Sequence, residues 1–93
     1  MSIRVRFFAR FRELLGNEVI AEPSSPAMSL SGLVRQIAQK NREGYAAIFD
    51  DKGAFREFVI VMRNAKRVDT ADADRVTVAD GDEIAVFPPV AGG

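Results

Sequence analysis

The residues best suited to chemistry lie at the C-terminus, where the chain reads Phe87-Pro88-Pro89-Val90-Ala91-Gly92-Gly93. The last two glycines place no Cβ beside the terminal carboxylate, which lets an enzyme close a narrow channel around the backbone and reach that carboxylate. The two prolines favour an extended path and give no backbone donor to a sheet, so they direct the chain away from the preceding strand. Two interpretations stand level on these residues: Gly93 carries a reactive carboxylate, or the segment is an ordinary frayed end.

The rest of the chain offers few groups for catalysis of its own. There is no Cys, which excludes disulfides, thiolate metal sites, a persulfide carrier and a thiol nucleophile. There is also no His, the commonest general base and metal ligand. We therefore predict no catalytic residue in this chain.

Aspartates are the alternative candidates for a metal site, and they comprise Asp69, Asp72, Asp74, Asp80 and Asp82. A calcium-binding loop started at Asp69 or at Asp72 places apolar residues at ligand positions. Aspartate is also common in turns, where its carboxylate accepts hydrogen bonds from nearby backbone N–H groups. We expect turn chemistry here and no metal.

Charge gives little indication of a nucleic-acid or membrane partner. Thirteen basic and thirteen acidic residues cancel, so the chain has no overall attraction to a polyanion. Four arginines interleaved with Phe7, Phe8 and Phe11 are the local exception, namely Arg4, Arg6, Arg10 and Arg12. Alternation places the first two on the solvated side of a strand, so a solvated face, or a docking surface for an acidic partner, is favoured over a nucleic-acid surface.

The chain has the size and pattern of one soluble domain. Ninety-three residues, nearly half of them hydrophobic, are enough for a single core. The N-terminus carries charges where a signal peptide is apolar, and the longest fully apolar run, residues 58–62, is too short to span a bilayer. We expect a cytoplasmic protein with a folded domain over residues 1–87 and a flexible tail over residues 88–93.

Periodicity predicts a mixed sheet that packs on one main helix. Strands are predicted around Ile3–Phe7, Glu18–Ala21, Phe58–Met62, Lys66–Val68 and Glu83–Phe87, with a helical turn between the first two that Gly16 closes. A helix capped by Ser29 presents one apolar stripe and is expected to end at Gly44. Residues 45–55 are predicted as a short helix or a covering loop. This order describes an α+β protein with the β-grasp arrangement, with four to five strands.

The chain resembles the MoaD and ThiS sulfur carriers, which are ubiquitin-like proteins. The matching residues lie at both ends, at 5–9 and 11–14, at Asp80-Gly81-Asp82-Glu83-Ile84, and in the C-terminal motif at 87–93. The motif is typical of the molybdopterin synthase small subunit and its archaeal relatives. The segment from Glu43 to Glu57 is similar to the longer archaeal small modifier proteins.

The resemblance implies a covalent role for Gly93 and a division of labour with partners. Its carboxylate would be adenylated by an E1-like enzyme that uses ATP and magnesium, and a sulfurtransferase would then form a thiocarboxylate. Adenylation is needed because a carboxylate is a poor electrophile without a leaving group. No cofactor would be bound by this chain, and the tail from Pro88 to Gly92, including Pro89, Val90 and Ala91, would thread into the partner.

Several alternatives stay open at this point. A sulfur carrier would have the molybdopterin synthase large subunit as a partner, whereas a protein modifier is joined through Gly93 to lysines of other proteins. The sulfur acceptor itself is an open question. A third interpretation is a binding subunit whose tail is never activated. Phe87 either closes the core or docks on a partner, and modification of Lys40, Lys52 or Lys66 is an open question.

Overall fold

The computed structural model describes residues 1–88. Their elements are, in chain order, β1 (Ile3–Phe7), α1 (Ala9–Leu15), β2 (Glu18–Ala21), α2 (Leu30–Ala38), α3 (Arg42–Ile48), β3 (Ile60–Arg63), β4 (Lys66–Val68) and β5 (Glu83–Phe87). No helix in that part of the chain is long and apolar enough to cross a membrane.

The five strands form one mixed sheet in the order β2-β1-β5-β3-β4. The C-terminal strand β5 lies in the middle, parallel to β1 and antiparallel to β3. The first hairpin is antiparallel, with Val5 opposite Val19. The predicted β-grasp arrangement is therefore confirmed, and its last strand is paired along both edges.

The core lies between one face of the sheet and α2. Ile3, Val5 and Phe7 of β1 alternate onto this face and are fully buried, as the period-two pattern predicts. The apolar stripe of α2 packs against them, and its buried members include Leu30, Leu33, Val34, Ile37 and Ala38. Burial of these side chains supplies the main stabilisation of the sheet-on-helix packing.

Helix α2 begins where the sequence predicts and ends earlier. The Ser29 hydroxyl accepts the Gly32 N–H at 3.0 Å, which confirms it as the N-cap. The prediction that Gly44 ends this helix is wrong, because α2 stops at Ala38 and Gly44 lies inside α3. Asn41 starts the new helix, since its side chain accepts the Gly44 N–H at 3.0 Å and donates to the Leu14 carbonyl at 2.7 Å.

The stretch 45–55 is part helix and part covering loop, as predicted. Phe49 is buried between Tyr45 and Phe55, with ring centroids 5.0 and 4.7 Å away. The following turn is held by Asp50, whose Oδ1 accepts backbone N–H groups of Lys52 and Ala54 at 2.9 and 3.0 Å. Those bonds, that of Ala54 foremost, hold the pKa of the Asp50 carboxyl below its usual value.

The third strand begins later than the sequence predicts. Phe58 was expected to open a buried run, but β3 starts at Ile60 and Phe58 is 71% exposed. Its φ of 69° places it in the left-handed region, where a strand cannot continue. From Val61 onward the strand is paired on both edges, as predicted, and one side of it faces away from the core.

Candidate functional site

The C-terminal strand β5 leads directly into the residues that carry the predicted reactive end. Phe87 is its last residue, and Phe87 and Pro88 are both half-buried. The other predicted site residues lie outside the described part of the chain, namely Pro89, Val90, Ala91, Gly92 and Gly93. The described site is therefore the platform from which these residues start.

Phe87 belongs to an aromatic pair on the outer face of the sheet. Its ring stacks on Phe8 with centroids 4.2 Å apart and planes 10° from parallel. The Arg6 guanidinium carbon lies 5.2 Å from the Phe8 ring centroid, within cation–π range. Arg6 also pairs with Glu83 at 3.6 Å, so the stack has one charged border.

The pair extends into a band of half-buried apolar side chains, which we call the outer patch. Ile60 lies opposite Phe87 and Met62 lies opposite Ala85 in the β3–β5 ladder. The outer patch thus consists of Phe8, Ile60, Met62, Ala85 and Phe87, and each of them is partly exposed. Side chains opposite one another in a ladder share a face of the sheet, so the patch is continuous.

Sequence reasoning missed most of the outer patch. It singled out Phe87 but treated the β3 run as buried on both faces or paired on both edges. The available signal was the register, because Val61 and Val86 are core residues and their neighbours in sequence must point outward. Of the two alternatives for Phe87, closing the core is wrong, because Phe87 stacks on Phe8 on the outer face and is not one of the buried core residues. Docking of Phe87 on a partner stays a prediction.

Asp82 fixes the beginning of β5. Its side chain is only 7% exposed. The carboxylate accepts the Arg63 Nε–H at 3.0 Å, the Asn64 amide at 3.0 Å and the Ala79 N–H at 2.8 Å. Asn64 returns a bond by accepting the Glu83 N–H at 2.9 Å. The tip of the β3–β4 hairpin is therefore bonded to the turn from which β5 starts.

Opposing effects act on the pKa of Asp82. Burial raises it by removing water from the charged form, while the hydrogen bonds from Asn64, Ala79 and Arg63 lower it. The hydrogen bonds prevail, and the pKa of this carboxyl lies below its usual value. Asp82 is therefore an anion at neutral pH that stabilises the hairpin.

The other candidate residues have structural partners. Asp69 accepts the Ala71 N–H two residues on, which confirms turn chemistry there. Asp80 instead accepts the N–H of Ser2, at the other end of the chain. Residues 1–88 contain no group of three or more His, Cys, Asp or Glu side chains that could hold a metal ion.

The basic surface is largely occupied by ion pairs. Arg4 pairs with Glu18 at 3.0 Å, and Arg10 lies 3.7 and 3.8 Å from Glu13 and Glu43. Arg12 is exposed at the surface of α1. These arginines form a solvated face on which positive and negative charges alternate, in agreement with the interpretation favoured from sequence.

The fold and the central position of the C-terminal strand define a ubiquitin-like protein. The ThiS family model matches residues 5–93. The chain belongs to the ThiS family.

Two relatives match over the whole of this chain. Small archaeal modifier protein 3 of Haloferax volcanii is 32% identical over 93 residues, which is 100% of both chains. The molybdopterin synthase sulfur carrier subunit of Aedes aegypti is 32% identical over 97 residues, which covers 100% of this chain and 90% of that protein.

Solved structures share the fold. The crystal structure of SAMP1 from H. volcanii superposes with a TM-score of 0.85 at 24% identity, with 100% of both chains covered. Subunits 1 and 2 of the molybdopterin-converting factor from Helicobacter pylori were solved as a protein–protein complex, whose matching chain gives a TM-score of 0.60 at 25% identity over 100% of both chains.

Proposed function

We propose that this protein is a sulfur carrier whose C-terminal Gly93 is converted to a thiocarboxylate that donates sulfur in molybdopterin biosynthesis. The observation that carries the proposal is that the ThiS family match covers residues 5–93 and so includes the Gly92-Gly93 end. The described structure is consistent with it, because the domain ends in a strand that is paired on both edges and leads into Pro88. The domain presents the chain end, and partners supply the catalytic groups.

The proposed reaction has two steps, the first at the α-phosphorus of ATP and the second at the carbonyl carbon of Gly93. An E1-like enzyme joins the Gly93 carboxylate to the α-phosphate of ATP, with magnesium on the phosphates, and pyrophosphate leaves. Hydrosulfide supplied by a sulfurtransferase then attacks the acyl carbon, AMP leaves with the electron pair of the broken C–O bond, and the sulfur loses its proton to solvent. The sulfur stays on Gly93 as the thiocarboxylate, which the molybdopterin synthase large subunit would accept.

The length and residue types of the tail suit a reaction in the active site of a partner. Residues 89–93 span roughly 17 Å at full extension, so the end can enter an active site while the folded domain stays outside. Gly92 keeps that channel narrow, and Pro88 and Pro89 reduce the entropy lost on threading. The outer patch lies at the start of the tail and offers an apolar docking surface.

Intact mass tests the proposal directly. The protein is incubated with an E1-like enzyme, magnesium, ATP and sulfide, and conversion appears as the replacement of one oxygen by one sulfur. Oxidation of any of the three Met residues gives nearly the same mass change, so the product is also treated with a thiol-specific alkylating reagent. Because the chain has no Cys, an alkyl adduct reports the thiocarboxylate alone. Absence of this adduct after the wild-type reaction would contradict the carrier function.

A protein modifier is the second candidate function. It is favoured by the full-length similarity to small archaeal modifier protein 3, and it needs the same adenylation of Gly93. The two functions differ in the acceptor, which is a lysine of another protein in this case. A stable complex with a molybdopterin synthase large subunit supports the carrier function, whereas branched peptides from cells support the modifier.

The branch must be searched for by its true length. The last tryptic site is Arg75, so trypsin leaves residues 76–93 on the target lysine. A glutamate-specific protease shortens the branch to residues 84–93, because Glu83 is the last glutamate. The same search covers Lys40, Lys52 and Lys66 of this chain, all of which are exposed.

A further inference from the structure

Phe58 is a strained and exposed aromatic residue that the core does not use. It is the most exposed large hydrophobic residue of the described chain, at 71%. It occupies the third position of a turn that the Val59 N–H closes on the Arg56 carbonyl at 3.2 Å. Its φ of 69° is the conformation that glycine or asparagine normally supplies at this position. Strain at an exposed aromatic residue outside the core makes its side chain a candidate for a binding role.

The sheet register places Phe58 at the base of the tail. Ile60 is paired with Phe87 in antiparallel orientation, so the chain enters β3 at the same end of the sheet at which it leaves β5. Phe58 comes two residues before Ile60, just as residue 89 comes two residues after Phe87. At about 3.3 Å per residue, the Cα of Phe58 lies within about 7 Å of the Cα of Ile60, which is paired with Phe87.

The length of the tail determines how closely a partner that binds Gly93 must approach the domain. Five residues follow Pro88 and reach roughly 17 Å when fully extended. An enzyme that receives the Gly93 carboxylate in its active site must therefore cover the end of the sheet from which the tail starts. A ring exposed at that end is buried when the enzyme docks, and aromatic anchors of this kind often dominate binding.

We propose that Phe58 inserts into an apolar recess of the E1-like adenylating enzyme and anchors the domain during activation of Gly93. This inference rests on the proposed function, since it requires that the carboxylate be adenylated. Phe58 does not touch the reacting atoms, which lie at the far end of the tail. It is a docking residue, so its loss raises the KM for the protein substrate and leaves kcat unchanged.

Phe58→Gly separates docking from folding. Glycine removes the ring and adopts the left-handed conformation without strain, so the melting temperature stays the same or rises. We expect the KM in ATP–pyrophosphate exchange with the E1-like enzyme to rise about tenfold. Phe58→Tyr keeps the ring but adds a hydroxyl to the apolar recess, so its KM lies between those of the wild type and Phe58→Gly. Ile20→Ala is the matched control, because Ile20 is 59% exposed on edge strand β2 and lies away from the tail. We expect the Ile20→Ala protein to have the wild-type KM.

Each outcome decides the inference. An unchanged KM for Phe58→Gly with active wild type overturns the Phe58 anchor and leaves the proposed function standing. Absence of wild-type exchange contradicts the proposed function itself, and the anchor with it. A lower melting temperature for Phe58→Gly with an unchanged KM assigns the ring to folding and overturns the anchor. If the wild type sediments as a dimer and Phe58→Gly as a monomer with an unchanged KM, the ring serves self-association and the anchor is overturned.

Discussion

Removal of the Asp82 carboxylate is predicted to loosen the joint between the β3–β4 hairpin and the start of β5. Three hydrogen bonds end on this carboxylate, from Arg63, Asn64 and Ala79. At about 1 kcal/mol each the loss totals about 3 kcal/mol. Water can replace the partner of Arg63, whose side chain is 33% exposed, so we expect Asp82→Ala to cost about 2 kcal/mol of unfolding free energy.

Asp82→Asn gives a graded comparison in nearly the same volume. One oxygen of the carboxylate, Oδ2, accepts both Arg63 and Ala79, while Oδ1 accepts Asn64. An amide that keeps its oxygen at the Oδ2 position preserves two bonds and places an NH₂ donor against the Asn64 donor. We expect a loss of about 1 kcal/mol at pH 7, or roughly 4–8 °C in Tm for a domain of this size.

The difference between wild type and Asp82→Asn depends on pH with a defined sign. The folded-state pKa of Asp82 is lowered by its hydrogen bonds, so its contribution is fully present above the unfolded pKa of about 3.9. It is lost as pH falls through the folded pKa. Urea unfolding followed by circular dichroism should therefore show the largest difference near pH 6–7 and a smaller one at about pH 3.

A surface carboxylate provides the control for this series. Asp74 pairs with Arg35 at 3.4 Å, and its side chain is 70% exposed, so Asp74→Asn should change stability by less than about 0.5 kcal/mol. If Asp82→Asn is as stable as Asp74→Asn at pH 7, the assigned role of Asp82 is refuted.

Two further predictions concern glycine and alanine in the scaffold. Ala65→Gly should raise the unfolding free energy by about 0.5–1 kcal/mol in urea unfolding, because Ala65 adopts φ 68° in the β3–β4 turn; a lower urea midpoint contradicts this. Gly44→Ala should lower the unfolding free energy by about 1 kcal/mol, because the added Cβ would lie 2.7 and 2.8 Å from Leu15 atoms. This loss exceeds the gain from the better helix propensity of alanine. The loss should disappear in a Leu15→Ala background, and a loss that persists there rules out the contact with Leu15 as its cause.

Local signals predicted those parts of the fold that are decided within a few residues. The alternation of Ile3, Val5 and Phe7 predicted a strand with one buried face, and Ser29 predicted the start of α2. These patterns depend on backbone geometry and on contacts between near neighbours. The family resemblance added Gly93 as the proposed covalent site, a residue that lies outside the described part of the chain.

The wrong predictions arose where a turn or a side-chain hydrogen bond overrides the preference of a single residue. Gly44 was expected to end α2, but the Asn41 side chain bonds both Gly44 and Leu14 and starts a new helix there. Phe58 was expected in a strand because its side chain favours one, yet the turn that begins at Arg56 places it at positive φ. The roles of Asp82 and the outer patch depend on pairing between β3 and β5, which the sequence does not specify locally.

Mapping of the sulfur on the chain tests the central claim most directly. After reaction with the E1-like enzyme, magnesium, ATP and sulfide, the protein is alkylated, cleaved after Glu83 and sequenced by tandem mass spectrometry. The account predicts a single alkyl group on the peptide 84–93, localised to Gly93, and none when Gly93 is deleted. A wild-type peptide 84–93 that stays unlabelled while the enzyme turns over ATP with a known carrier protein would contradict it.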